Sequence, residues 1–174
     1  MMILLTGGAA CGKSAFAEKL CENANGVKYY IATMQPYGDE GRMRISRHRA
    51  MRDGKGFVTV ERYTDIGKLS LPERGTALLE CIANLTANEM FRADGTFSDP
   101  VQRVVSGVEE LMRKCDMLVV VTNDVGSDGL VYDEATNEYI RAIGCINAKL
   151  AVLADTVAEL VAGLPVVVKG ELPV

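Results

Sequence analysis

At 174 residues, 48% hydrophobic and 24% charged, the chain has the size of one ordinary globular domain, residues 1–174, able to bury about 70% of its unfolded surface without a disulfide or metal staple. A formal net charge of −4 argues against a surface that wraps nucleic acid. Five widely spaced cysteines without a C-x-x-C pair, and a single histidine, argue against a disulfide framework and against a Cys/His zinc site.

Short apolar runs alternate with longer amphipathic segments, the pattern of an α/β fold with a mostly parallel sheet covered by helices on both faces. The first predicted strand, Ile3–Thr6, has no basic flank and is cut short by Gly7, so it reads as neither signal peptide nor membrane anchor. The predicted helix Lys13–Glu22 follows. Further strands are predicted at Lys28–Ala32, Phe57–Glu61, Ala77–Leu79 and Met117–Thr122, and further helices at Gly41–Arg52, Pro100–Lys114 and Asp133–Asp155. The last helix places Ile140, Ile143, Ile146, Leu150, Leu153 and Ala154 on one stripe. Thr156–Val161 and Pro165–Val168, joined by Ala162-Gly163-Leu164, read as a hairpin, so the sheet is expected to end in an antiparallel strand. Gly163 and Pro165 also break the last apolar stretch well short of a bilayer-spanning length, and the expected location is the cytoplasm. Gln35–Glu40 and Asn123–Gly129 read as loops, and loops at the carboxyl ends of such strands line the ligand crevice.

Between the first strand and first helix stands Gly7-Gly8-Ala9-Ala10-Cys11-Gly12-Lys13-Ser14, the pattern G-x-x-x-x-G-K-S of a phosphate-binding loop in its required strand-to-helix setting. A nucleotide's phosphates need backbone N–H donors, a helix N-terminus and a cation converging on them. Gly7 and Gly12 let the backbone curl, Lys13 reaches the β- and γ-phosphates, and the Ser14 hydroxyl is placed for Mg²⁺. Cys11, at a helix N-terminus, reads as a small residue that fits the loop.

The histidine, His48, lies in a helix-compatible stretch with five arginines in the eleven residues 42–52. Arg44, His48 and Arg52 fall at i, i+4 and i+8 on one stripe. Flanking cations favour the neutral, nucleophilic imidazole and offer a place for phosphate oxygens. A solvated basic face with an incidental histidine is the alternative. Glu80 and Asp124 each follow a strand run, where a carboxylate that organises Mg²⁺ belongs or where an acid simply faces water; Glu61 is open to the same two readings.

Taken together, several segments resemble the bifunctional adenosylcobinamide kinase/adenosylcobinamide-phosphate guanylyltransferase family of cobalamin biosynthesis. They are Leu5-Thr6-Gly7-Gly8-Ala9 with Gly12-Lys13-Ser14, Tyr30-Ile31-Ala32-Thr33, Arg44-Ile45 with His48-Arg49 and Arg52, and Thr59-Val60-Glu61. Leu78-Leu79-Glu80-Cys81-Ile82 with Asn88, Val121 through Gly126, Gly144 with Asn147, and Val161-Ala162-Gly163-Leu164-Pro165 complete the series in family order. The resemblance implies a three-layer P-loop fold of RecA-like type, a homotrimer, GTP, ATP and Mg²⁺ as cofactors, and a corrinoid substrate, adenosylcobinamide or its phosphate. It implies that His48 attacks the α-phosphate of GTP and carries GMP as a guanylyl-histidine intermediate, with Lys13 assisting. By family position Ala32, Thr33, Met34, Arg49, Ala50, Met51, Arg52, Glu61 and Glu80 join the Gly7–Ser14 loop in contacting the nucleotide, and Ser14 with Glu80 is assigned to Mg²⁺.

Two departures stand out. Many members carry Arg-Ser where this chain has Ala10-Cys11, and the segment Ser127-Asp128-Gly129-Leu130-Val131-Tyr132 replaces the family's usual glycine-rich run. A P-loop kinase of another small alcohol, with a structural His48, and a RecA-like module that binds nucleotide without transfer chemistry remain the alternatives; guanylyl transfer alone requires a nucleophile near the α-phosphate.

Overall fold

Successive strand residues point to opposite faces, so the continuous apolar runs of these strands call for a helical layer on each side. In the computed structural model, which describes residues 1–92, 95, 99–126 and 129–173 and leaves the side chains of Glu40, Arg44, Arg47, His48, Met51 and Arg52 undescribed, this is realised by one sheet. The strands are β1 (Met2–Thr6), β2 (Val27–Ala32), β3 (Phe57–Glu61), β4 (Gly75–Leu79), β5 (Met117–Val121), β6 (Thr156–Val161) and β7 (Leu164–Lys169). Among the described residues their spatial order is β3-β2-β4-β5-β1-β6-β7. Every pairing from β3 to β6 is parallel and β6 pairs with β7 antiparallel, so the first six strands point their carboxyl ends to one edge.

Met2 and Leu4 of β1 face a core completed by α3 (Ile82–Met90), α4 (Pro100–Lys114) and α5 (Glu134–Leu153), through Ile82, Leu85, Val104, Val108, Leu111, Ile146 and Leu150. Ile3 and Leu5 face a smaller core under α1 (Lys13–Glu22), through Ala17 and Cys21. This is the three-layer arrangement expected from the strand and helix pattern. The fifth helix, α2 (Gly38–Arg52), differs from the rest: none of its described side chains is buried. Its many arginines leave it no apolar stripe, and such a helix contributes little to a core.

Several boundaries depart from the sequence expectation. Helix α3 has no counterpart among the predicted elements: its N-cap is Cys81, whose Sγ accepts from Asn84 N at 3.4 Å, in place of the usual Ser, Thr, Asp or Asn. A 3₁₀ turn at Ile66–Lys68 was likewise not anticipated. Residues 38–40, expected to be loop, open α2, and α5 ends at Leu153. The β6–β7 connection has two residues and not three: Ala162 (φ 49°) and Gly163 (φ 83°) are both left-handed, as a tight hairpin twisting with its strands requires. Among the described residues, no helix is long and apolar enough to cross a membrane.

Candidate functional site

The Gly7–Ser14 loop leaves the carboxyl end of β1 and runs into α1. Its glycines answer specific demands. Gly7 has φ 136°, and a Cβ there would lie 2.7 Å from the Leu160 carbonyl oxygen; Gly12, at φ 97°, caps α1 in the left-handed region. Ala10 also takes a positive φ, 55°. Neighbouring strands hold the loop from both sides: Gly163 N–H of the hairpin turn donates to the Cys11 carbonyl at 3.0 Å, and Asp124 N–H after β5 donates to the Gly7 carbonyl at 3.3 Å.

Lys13 is 6% exposed and curls its ammonium back into the loop, donating to the carbonyls of Gly7 (2.8 Å) and Gly8 (2.6 Å), with Cys11 Sγ at 3.6 Å. Ser14 and residues 8–10 are exposed. A cation, a helix N-terminus and a curled backbone thus converge at one point on the sheet edge, the arrangement that binds phosphate.

A second group gathers on the same edge, at the ends of β2, β3 and β4. Ala32, Met34, Arg49, Glu61 and Glu80 line one cleft together with Ile45 and Thr59. The last two stand in the segments that carry the family resemblance but were given no site role, since neither brings a charge. Arg49 of α2 forms an ion pair with Glu61 Oε1, and Tyr63 Oη donates to Glu61 Oε2 at 2.9 Å. The Tyr63 hydrogen bond first, and the Arg49 guanidinium with it, hold the Glu61 carboxyl below its ordinary range despite opposing desolvation. Glu80, only 9% exposed, directly follows β4, and its N–H donates to the Ile31 carbonyl at 3.1 Å. The neighbouring Cys81 thiol is pushed up chiefly by burial.

Thr33 is placed differently. It is fully buried, and its hydroxyl donates inward to the Cys81 carbonyl at 3.0 Å, leaving its backbone at the edge. Asn88 of α3 donates to the carbonyls of Thr33 (2.8 Å) and Tyr63 (3.0 Å), and Asn147 of α5 accepts from Thr122 Oγ1 (2.6 Å) while donating to the Asn123 carbonyl (3.2 Å). These two amides strap the edge loops to the helices behind them. Ala50 is exposed on α2, as is Asp124 behind β5. The backbone of α2 runs through Arg44, His48, Met51 and Arg52, whose side chains lie outside the described residues, as do residues 127 and 128 of the atypical segment.

A family model described as cobinamide kinase / cobinamide phosphate guanyltransferase matches residues 3–168. The chain belongs to this family. Among curated relatives it is similar to the bifunctional adenosylcobalamin biosynthesis protein CobU of Escherichia coli K12, at 35% identity over 185 aligned positions covering 97% of this chain and 100% of that protein. The protein of the same description from Salmonella typhimurium LT2 is 36% identical with the same coverage. CobP of Pseudomonas aeruginosa PAO1, also described as a bifunctional adenosylcobalamin biosynthesis protein, is 31% identical over 98% of this chain and 99% of its own length. Among solved structures, an ATPase from the type III secretion system of pathogenic bacteria superposes with a TM-score of 0.50 at 16% identity, over 92% of this chain and 51% of that one. That likeness concerns the fold, a P-loop NTPase sheet.

Proposed function

We propose that this chain is a bifunctional enzyme of cobalamin biosynthesis that phosphorylates adenosylcobinamide and then transfers GMP from GTP to adenosylcobinamide phosphate. The observation that carries this reading is the family match over residues 3–168, together with a phosphate loop and a second cleft, lined by Arg49, Glu61 and Glu80 beside apolar side chains, on one sheet edge. From β1 to β3 the edge crosses four strand spacings, about 19 Å at ~4.8 Å each, a span on the order of an extended nucleoside triphosphate.

In this reading the triphosphate draws the Lys13 ammonium from the carbonyls of Gly7 and Gly8, and the nucleoside lies toward Ala32–Met34, Glu61 and Glu80. The His48 imidazole attacks the α-phosphorus; an N–P bond forms, the bond to the bridging oxygen breaks, and pyrophosphate leaves with the electron pair. A phosphate oxygen of adenosylcobinamide phosphate then attacks the same phosphorus and releases His48. Two displacements replace one harder transfer. Arg49 and Arg52, which adjoin His48 in α2, bring guanidinium groups to the transferring phosphoryl. In the kinase step the corrinoid hydroxyl oxygen attacks the γ-phosphorus of ATP or GTP, its proton passes to water, and the bond to the bridging oxygen breaks to release ADP or GDP.

The donors present suit Mg²⁺. Ser14 offers a hydroxyl and Glu80 a carboxylate, both hard oxygen ligands, and among the described residues no group of three or more His, Cys, Asp or Glu could hold a metal unaided. Such an ion is taken up with the nucleotide, phosphate oxygens completing its shell. Bound there, it neutralises charge on the leaving phosphates. A cytoplasmic homotrimer completes the reading, on the family resemblance.

Incubation with Mg²⁺ and GTP labelled at the α-phosphate tests it. Label should survive denaturation, be acid-labile and alkali-stable, and be lost in His48→Ala. A folded wild-type chain that takes up no label contradicts the reading.

A further inference from the structure

The two oxygens of Glu61 are divided between donors of very different attachment. Arg49 holds Oε1 from α2, a helix with no buried side chain among those described. Tyr63 holds Oε2 from a loop whose backbone is itself fixed: the Asn88 amide donates to the Tyr63 carbonyl at 3.0 Å and, from the same nitrogen, to the Thr33 carbonyl at 2.8 Å. One α3 side chain therefore ties the loop of Tyr63 to the loop of Thr33 and Met34. Glu61 itself is 43% exposed, and among the described residues these two are the side-chain donors to its carboxylate.

We propose that Tyr63 is a positioning residue of the nucleotide cleft, holding Glu61 at the sheet edge while Arg49 exchanges that carboxylate for the phosphates of the incoming nucleotide. The inference rests on the reading that Arg49 and Glu61 both meet GTP. Arg49 and Glu61 satisfy each other as they stand, and nucleotide that engages both must part them. A glutamate released by its arginine would regain several rotamers, and the ligand would then bear the cost of ordering it. The phenol prevents this. Because Glu61 is held ionised, Tyr63 donates to a charged acceptor, the stronger class of hydrogen bond. Tyr63 reaches no phosphate in this account and acts through Glu61 alone.

The test is a double-mutant cycle on the full chain, with Tyr63→Phe, Glu61→Ala and both together, reading GTP affinity by calorimetry, steady-state KM and kcat for guanylyl transfer, and thermal melting. Tyr63→Phe should melt like the wild type, weaken GTP and raise its KM by about fivefold, and hold kcat within about twofold, the effect of one hydrogen bond felt only in binding. In the Glu61→Ala background the same change should have no further effect. Wild-type affinity in Tyr63→Phe, an equal loss in the Glu61→Ala background, or a fall in kcat at unchanged KM would each overturn the proposal. Wild-type protein that binds GTP but takes up no α-label contradicts the covalent reading while the affinity cycle still decides the role of Tyr63; failure to bind GTP at all overturns both.

Discussion

The phosphate loop and the α2–β3 cleft share one sheet edge and are built in opposite ways. The loop is gripped: Gly7 packs against the Leu160 carbonyl, Gly163 and Asp124 donate into the loop from either side, and the Lys13 ammonium is buried. The cleft is closed by exposed side chains, with an Arg49–Glu61 pair at 57% and 43% exposure, a class of contact that stabilises by only about 0–1 kcal/mol. The difference matches two tasks. A site for phosphates gains from donors fixed before the ligand arrives, whereas groups that must change partners during a two-step transfer gain from being lightly held.

The largest expected break in this contrast is Lys13→Ala. Removing the loop cation should lower both guanylylation and kinase rates by about 10²–10³-fold, measured in separate α-label and γ-label assays. The cleft should survive it, so melting should shift by only about 2–4 °C. Gly7→Ala probes the grip itself: a Cβ 2.7 Å from a backbone oxygen at φ 136° should cost about 1–3 kcal/mol and lower the melting temperature by several degrees, where Glu61→Ala should move it by about 1 °C or less. Equal shifts for the two would erase the distinction.

A smaller effect separates them by pH. Burial pushes the Cys21 thiol under α1 up to about 12, against an ordinary value near 9. Unfolded chain therefore loses this proton first, and the stability contributed by the neutral thiol is present below pH 9 and lost as pH rises from 9 toward 12. Cys115, pushed to about 11 by burial, adds to the same slope. Urea titrations should show Cys21→Ala flattening the alkaline decline. Glu61 has the opposite sign: its folded value is lowered, so its contribution is present above the ordinary carboxylate range and lost as pH falls below it. Its exposure makes that contribution the smallest of the three.

How much of this was legible in the sequence differs between the regions for the same physical reason. The loop is local: its glycines, lysine and serine lie within eight residues, and strand–loop–helix periodicity marks their setting. Most strands and helices were equally legible, because short continuous apolar runs and near-four-residue apolar periods are written along the chain. Helix α3 was not, since a cysteine N-cap and the run Asn84, Thr86, Asn88 carry neither a start signal nor strong propensity. The cleft is a tertiary object. Resemblance named Arg49 and Glu61 separately, but nothing along the chain says that they pair, or that Tyr63 shares the carboxylate; that follows from loops brought together by Asn88. Resemblance assigned Thr33 to the nucleotide, and only the structure shows that its hydroxyl points inward to the Cys81 carbonyl.

The central claim is that the loop holds the triphosphate while α2 supplies the nucleophile. Its most direct measurement is mass-spectrometric mapping of the protein after brief incubation with GTP and Mg²⁺, kept at alkaline pH to preserve a phosphoramidate. The expected result is one GMP per chain, on the peptide carrying His48. A GMP adduct on any other residue, or pyrophosphate release with no adduct, would contradict it.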